Sequence, residues 1–102
     1  MSRVLIVDDN ETMRSGVALV VERMSHLAVT AASGVEALAR LTEESCDLVI
    51  TDYRMAEMDG LQVLEAVKND HPDTDVIIIT AHGTIEIAVE AMKRGAVDFI
   101  TK

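Results

Sequence analysis

Apolar residues follow two periods along this chain. Val4–Val7, Leu48–Ile50 and Val76–Ile79 are short continuous runs, rich in β-branched residues and bounded by polar or turn residues. Such runs suit strands buried on both faces of a sheet. Leu27–Ala32 reads as a weaker strand at an edge, and Val97–Lys102 as the last strand. Between these runs the period lengthens to that of a helix with one apolar face. Met13, Val17, Val20, Val21 and Met24 form one such face, and Val35, Leu38, Ala39 and Thr42 a second. Leu61, Leu64 and Val67 form a third, and Ile85, Ala88, Val89 and Met92 a fourth. Local chemistry marks the helix ends. Asn10 and Thr84 are placed to cap, and Ser33 with Glu36 has the form of a capping box. His71-Pro72-Asp73 breaks the third helix. Gly95 ends the fourth, just after Lys93 and Arg94 at the negative end of its dipole.

Strands and helices therefore alternate from start to finish. That alternation predicts one α/β domain over residues 1–102, with a parallel sheet covered on both faces. Ligands of such sheets bind outside the carboxyl ends of the strands, where the strand order reverses. Asp8, Asp9, Asp52, Thr80 and Lys102 all fall at carboxyl ends. Carboxylates gathered there repel one another unless a cation neutralises them. Their oxygens suit a hard divalent ion such as Mg²⁺. A carboxylate beside that ion is free to act as a nucleophile, and a phosphoryl group is its natural electrophile. Lys102 and Thr80 would supply a positive charge and a hydroxyl to the phosphoryl oxygens. Each residue also has an ordinary explanation. Asp8 or Asp9 could cap the first helix, Asp52 could bind loop amides, Thr80 could simply end a strand, and Lys102 could be a surface charge. The coincidence of all five at one rim favours a site.

Composition narrows the classes. The chain has 102 residues, 49% of them hydrophobic and 26% charged, enough for one core. Aromatics make up only 2%, so that core must be built from Val, Ile, Leu, Ala and Met. A net charge of -9 argues against a nucleic-acid surface and against attraction to anionic membranes, while permitting a cation site. Cys46 has no cysteine partner and reads as a buried structural thiol, in keeping with a reducing cytoplasm. No stretch has the form of a signal peptide or approaches membrane-spanning length.

On its motifs the chain resembles the receiver domain of two-component response regulators. The motifs are Val-Asp-Asp at 7–9, Thr-Asp-Tyr-Arg-Met at 51–55, Met-Asp-Gly at 58–60, Thr-Ala-His at 80–82, Gly-Ala at 95–96 and Lys102. The resemblance implies a flavodoxin-like, doubly wound, five-stranded parallel sheet of order 2-1-3-4-5. It implies that Asp52 accepts a phosphoryl group from the phosphohistidine of a sensor histidine kinase. It further implies that Asp9 and Asp52 bind Mg²⁺, with Asp8 assisting through water and Arg54 through its backbone carbonyl. Thr80 and Lys102 would engage the phosphoryl group, Phe99 would be the switch aromatic, and Arg54 and His82 would tune the lifetime of the acyl phosphate. Such a domain is not an enzyme. It promotes only its own Mg²⁺-dependent phosphorylation and dephosphorylation, and the resulting switch would be read from Thr84 to Lys102. The Thr-Ala-His stretch is most similar to receivers of enhancer-binding transcription activators, with the effector outside this chain.

Two departures matter. The loop after Asp52 carries Met55-Ala56 where the family has Met-Pro, and the chain stops at Lys102, before the family's fifth helix. The second departure leads to the expectation of a truncated piece lacking that helix, whose uncovered face self-associates. Two other functions fit the same residues. One is a metal-dependent phosphatase with Asp52 as nucleophile. The other is an inert receiver-like fold serving as a dimerisation module.

Overall fold

The computed structural model describes residues 1–102. The elements are β1 (Arg3–Val7), α1 (Glu11–Arg23), β2 (Leu27–Ala31), α2 (Gly34–Glu43), β3 (Leu48–Thr51), α3 (Gly60–Asp70), β4 (Asp75–Thr80), α4 (Ile85–Lys93) and β5 (Asp98–Thr101). The strands form one parallel sheet in the order β2-β1-β3-β4-β5. The order reverses between β1 and β3, so the expected doubly wound sheet is present.

The alternation of side chains along each strand divides the core in two. Leu5, Val7, Val49, Val76 and Ile78 point to one face and pack with Ala37 and Leu41 of α2, Val63, Leu64 and Val67 of α3, and Ala91 of α4. Val4 and Ile6 point to the other face, where they meet Ala18 and Val21 of α1, with Leu48 and Ile50 alongside. Ile50 is in register with Ile77, and Ile79 with Ile100, so this second face continues across β4 and β5. There it runs out of cover. Ile77 and Ile79 are only half-buried and Ile100 is exposed.

The predicted caps form. Asn10, Ser33 and Thr84 accept from the backbone N–H of Met13, Glu36 and Ile87. The box at α2 differs in one bond: the Glu36 carboxylate accepts from Ala32 N–H rather than from Ser33. A complete capping box, not anticipated from the sequence, opens α3, where Asp59 and Gln62 satisfy each other's backbone N–H. Gly95 ends α4 at φ +101°, a conformation that favours glycine. Cys46 is buried, as expected. Burial pushes its thiol above the ordinary range, and the nearby Arg3 pulls it only part of the way back.

Helix faces are where pattern and structure part. In α4, Ile85 is 84% exposed, and Val89 and Met92 are exposed as well, while Ala91 is fully buried. In α2, Val35, Ala39 and Thr42 face solvent, and Gly34, Ala37 and Leu41 face the sheet. In α1, Ala18 and Val21 are buried, but Val20 and Met24 are exposed. At the start of α2 the approach to the neighbouring helix is close. A Cβ added at Gly34 would come within 2.8 Å of both Met58 Sδ and Val63 Cγ2. In α3 the expectation holds for Leu64 and Val67, with Val63 buried beside them.

Stability should follow the observed faces. Val35→Ser and Val89→Ser should each change the unfolding free energy by no more than about 0.5 kcal/mol, as surface substitutions do. Leu64→Ala should cost about 2–5 kcal/mol. Urea denaturation of the three variants checks both values.

Candidate functional site

The ladders of β1, β3 and β5 each run one hydrogen bond past the strand end. Asp8 N–H donates to Ala31 O at 3.2 Å, Asp52 N–H to Val7 O at 2.9 Å and Lys102 N–H to Thr80 O at 2.9 Å. Each bond holds a chemistry-bearing residue at the same rim. The carboxylates of Asp8, Asp9 and Asp52 consequently offer oxygens that all lie within 4.8 Å of one another. Lys102 Nζ stands 3.3 Å from Asp8 Oδ2 and 3.7 Å from Asp52 Oδ1. Three carboxylates facing one ammonium leave negative charge uncompensated at a partly buried site. Arg54, His82 and Asn10 complete the walls of a cavity of about 340 Å³.

Each acid is positioned differently. Asp8 is buried; its Oδ1 accepts from Asn10 N–H at 2.9 Å, and its backbone carbonyl accepts from the Arg14 guanidinium at 2.9 Å. Asp9 is exposed at the mouth. Asp52 lies between these extremes, with Oδ1 accepting from Tyr53 N–H at 2.9 Å. Its Oδ2 takes no protein hydrogen bond and is left for an incoming group. The set is all oxygen with excess negative charge, which is the donor chemistry of a site for a small hard cation. A bound divalent ion would offset the mutual repulsion that these acids otherwise carry.

Thr80 does not reach the cavity. It is fully buried, and its Oγ1 accepts from His82 N–H at 3.1 Å. The rim expected to include its hydroxyl therefore holds Ala81 and His82 in its place. Phe99 is half-buried against the main core, on the same face of the sheet as Thr80. Asn10 and Arg14, which had no expected role beyond Asn10's cap, both fix Asp8. The sequence signal for Arg14 is faint, since it faces Asp8 only once α1 has turned.

Gly60, recognisable beforehand only as part of a motif, has a clear physical reason. A Cβ there would fall 2.5 Å from the Asp52 carbonyl oxygen and 2.8 Å from Tyr53 Cα. Both are backbone atoms and cannot swing aside. Gly60 N–H also donates to Tyr53 O. The start of α3 is thus pressed directly against the acid-bearing turn.

A larger groove, of about 760 Å³, lies between α3 and the end of α4. Its charges already satisfy one another. Arg94 pairs with Glu90 and Glu65, and Lys68 donates to the carbonyls of Pro72 and Thr74. The smaller rim cavity, with its unbalanced charge, is the better candidate.

The family model described as "Response regulator receiver domain" matches residues 4–102. The chain belongs to the response regulator receiver family. Among curated relatives, this receiver is 42% identical over 101 residues to the transcriptional regulatory protein GlrR of Escherichia coli (strain K12), covering 99% of the chain and 23% of the relative. It is 45% identical over 101 residues to a putative response regulator, NtrX-like, of Rickettsia bellii, covering 97% and 21%. Among solved structures, a response regulator receiver domain protein from Clostridium thermocellum superposes with a TM-score of 0.94 at 35% identity, covering 100% of this chain and 82% of the other. The receiver thus spans less than a quarter of the curated relatives' length. No helix in it is long and apolar enough to cross a membrane.

Gly60→Ala should force the backbone around Asp52 to move. The expected result is a loss of about 1–3 kcal/mol in stability, the range for overpacking a tight contact. Mg²⁺ affinity should fall with it. Fluorescence of Tyr53, the sole tyrosine and the neighbour of Asp52, reports the metal titration.

Proposed function

We propose that Asp52 of this receiver accepts a phosphoryl group from the phosphohistidine of a sensor histidine kinase, and that the modification switches an output. The observation that carries this reading is the gathering of Asp8, Asp9, Asp52 and Lys102 at one rim, with one Asp52 oxygen unengaged. Asp52 Oδ2 forms the new bond to phosphorus as the phosphorus–nitrogen bond breaks, and the imidazole nitrogen keeps the bonding pair. The side chains of Asp9 and Asp52, the Arg54 carbonyl and, through water, Asp8 would hold Mg²⁺, which when bound offsets charge on the phosphoryl oxygens. Lys102 shifts from Asp8 toward the new phosphoryl group and pairs with it. Thr80 gives up its bond from His82 N–H and donates to a phosphoryl oxygen.

Phosphorylation adds roughly two negative charges and new acceptor oxygens at the rim. Only contacts made better in one state than in the other can shift the equilibrium. Thr80 and Lys102 make those contacts, and Phe99 follows Thr80. Arg54 and His82, on the cavity wall, tune access of water to the acyl phosphate. The receiver acts on itself alone, in the cytoplasm. Its output is transcription regulation by an enhancer-binding activator, in keeping with the regulatory names of its relatives.

Titration with Mg²⁺ and beryllofluoride, a mimic of the bound phosphoryl group, tests the reading. Saturable amide shifts at Thr80, Phe99 and Lys102, absent in Asp52→Ala, are expected. Absence of any shift in the unmodified receiver would overturn it. Rapid multiple turnover on small phosphate esters would favour the phosphatase reading.

A second part of the proposal concerns the sheet face opposite α2–α4. Ile77 and Ile79 lie there half-buried and Ile100 exposed. A second copy of the receiver covers this face. Sedimentation velocity should show a concentration-dependent dimer that Ile79→Glu abolishes. A monomer at every concentration, with a cooperative melt, would sink this part.

A further inference from the structure

We propose that Thr51 is a positioning residue for Asp52: its buried hydroxyl fixes the peptide group that orients the Asp52 carboxylate. This role rests on the phosphoacceptor reading of Asp52 and deepens it.

Thr51 is the polar exception in β3. Leu48, Val49 and Ile50 before it are aliphatic, and alternation along the strand puts Thr51 on the same face as Val49, toward the main core. Thr51 is fully buried, in register with Val7 of β1 and Ile78 of β4. A valine would fill the same branched shape there without a polar atom. The hydroxyl of Thr51 donates to the carbonyl oxygen of the next residue, Asp52, at 2.9 Å. No other protein donor reaches that oxygen. The start of α3 presses on it as well, since a Cβ at Gly60 would lie 2.5 Å from it.

The consequence falls at the other end of the same peptide group. A peptide is rigid and planar, so its C=O and N–H turn together. The carbonyl held by Thr51 shares its plane with Tyr53 N–H, which donates to Asp52 Oδ1 at 2.9 Å. On the preceding side, Asp52 N–H is tied to Val7 O at 2.9 Å. The sheet thus fixes the peptide before Asp52, and the Thr51 hydroxyl fixes the one after it. With Oδ1 engaged by Tyr53 and 3.7 Å from Lys102 Nζ, Oδ2 is the oxygen left for an incoming group. Without the hydroxyl, the plane between Asp52 and Tyr53 can rock, Tyr53 N–H slips from Oδ1 and the carboxylate turns. A nucleophile whose direction wanders loses its attack geometry.

A simpler account holds for any buried hydroxyl: it must bond something, and the nearest carbonyl serves. On that account Asp52 keeps its place when the hydroxyl is removed. Chemistry at Asp52 separates the two.

The unmodified receiver is compared with Thr51→Val and Thr51→Ser. Phosphoramidate, a small donor with a phosphorus–nitrogen bond, supplies the phosphoryl group at saturating Mg²⁺, and intact mass follows its addition. At saturating donor, Thr51→Val should be phosphorylated about tenfold more slowly, a fraction of the cost of a misplacement of about 1 Å. The donor concentration giving half the maximal rate should change less than about twofold, since the hydroxyl is not used in donor binding. Thr51→Ser, which keeps the hydroxyl, should return the rate to that of the unmodified receiver. With neither metal nor donor present, the Tyr53 amide should exchange with solvent faster in Thr51→Val than in either hydroxyl-bearing protein.

An unmodified rate in Thr51→Val would overturn the proposal. So would a Thr51→Ser as slow as Thr51→Val, since packing and not the hydroxyl would then be responsible. A slower Thr51→Val with an unchanged Tyr53 amide, or with only the half-saturating donor concentration raised, would overturn it too, because the hydroxyl would then act by another route. If Thr51→Val does not fold, Thr51→Ala against Thr51→Ser makes the same comparison of one oxygen atom. An unmodified receiver that takes no phosphoryl group removes the phosphoacceptor reading and the role of Thr51 together. Normal phosphorylation that is indifferent to the hydroxyl removes the role of Thr51 alone.

Discussion

The backbone hydrogen bond from Asp52 N–H to the Val7 carbonyl, 2.9 Å long, is the contact on which the rest depends. It carries the β1–β3 ladder one step beyond the regular strands. Without it, Asp52 would begin a free loop. With it, Asp52 stands beside Asp8 with its geometry set by the sheet. The same device recurs at Asp8 and at Lys102. A parallel sheet ends all its strands at one rim, so extending several ladders by a bond gathers their next residues there. Rigid backbone, not side-chain packing, thus assembles the acidic cluster.

That cluster is costly to the fold. Three carboxylates within 4.8 Å of one another repel, and one lysine offsets only part of the repulsion. Asp8 and Asp52 are held by backbone donors, and the Asp52 turn also by close glycine packing, so these two have little freedom to spread apart. Gly60 presses α3 against the Asp52 turn, and the Asp59–Gln62 box fixes the start of that helix. A site held this way offers an all-oxygen donor set of the kind that suits a small hard cation. Thr80 lies outside the cavity, its hydroxyl accepting from His82 N–H.

The misread helix faces have a common cause. A pattern of large apolar residues marks where hydrophobicity lies, not where a helix touches. In α2 the contact is made by Gly34, Ala37 and Leu41, with no room for a side chain at Gly34, and in α4 it is made by Ala91. Ile85, Val89 and Met92 lie on the outside of α4. In α3, where Val63, Leu64 and Val67 do face the sheet, pattern and contact agree.

The sequence by itself determined what is local. β-branched runs specified the strands, Asn10, Ser33 and Thr84 specified helix starts, and Gly95 specified an end, because each acts through bonds to residues a few positions away. Alternation of these elements was enough to place Asp8, Asp9, Asp52 and Lys102 at one rim, since a parallel sheet has only one carboxyl edge. Tertiary structure decided everything that depends on distance between elements. It chose which face of α1, α2 and α4 is buried, withdrew the Thr80 hydroxyl from the cavity, brought Arg14 to Asp8, and set the Phe99 ring on Gly83. Those outcomes rest on how close two backbones come, and that separation belongs to the packed whole rather than to any stretch of chain.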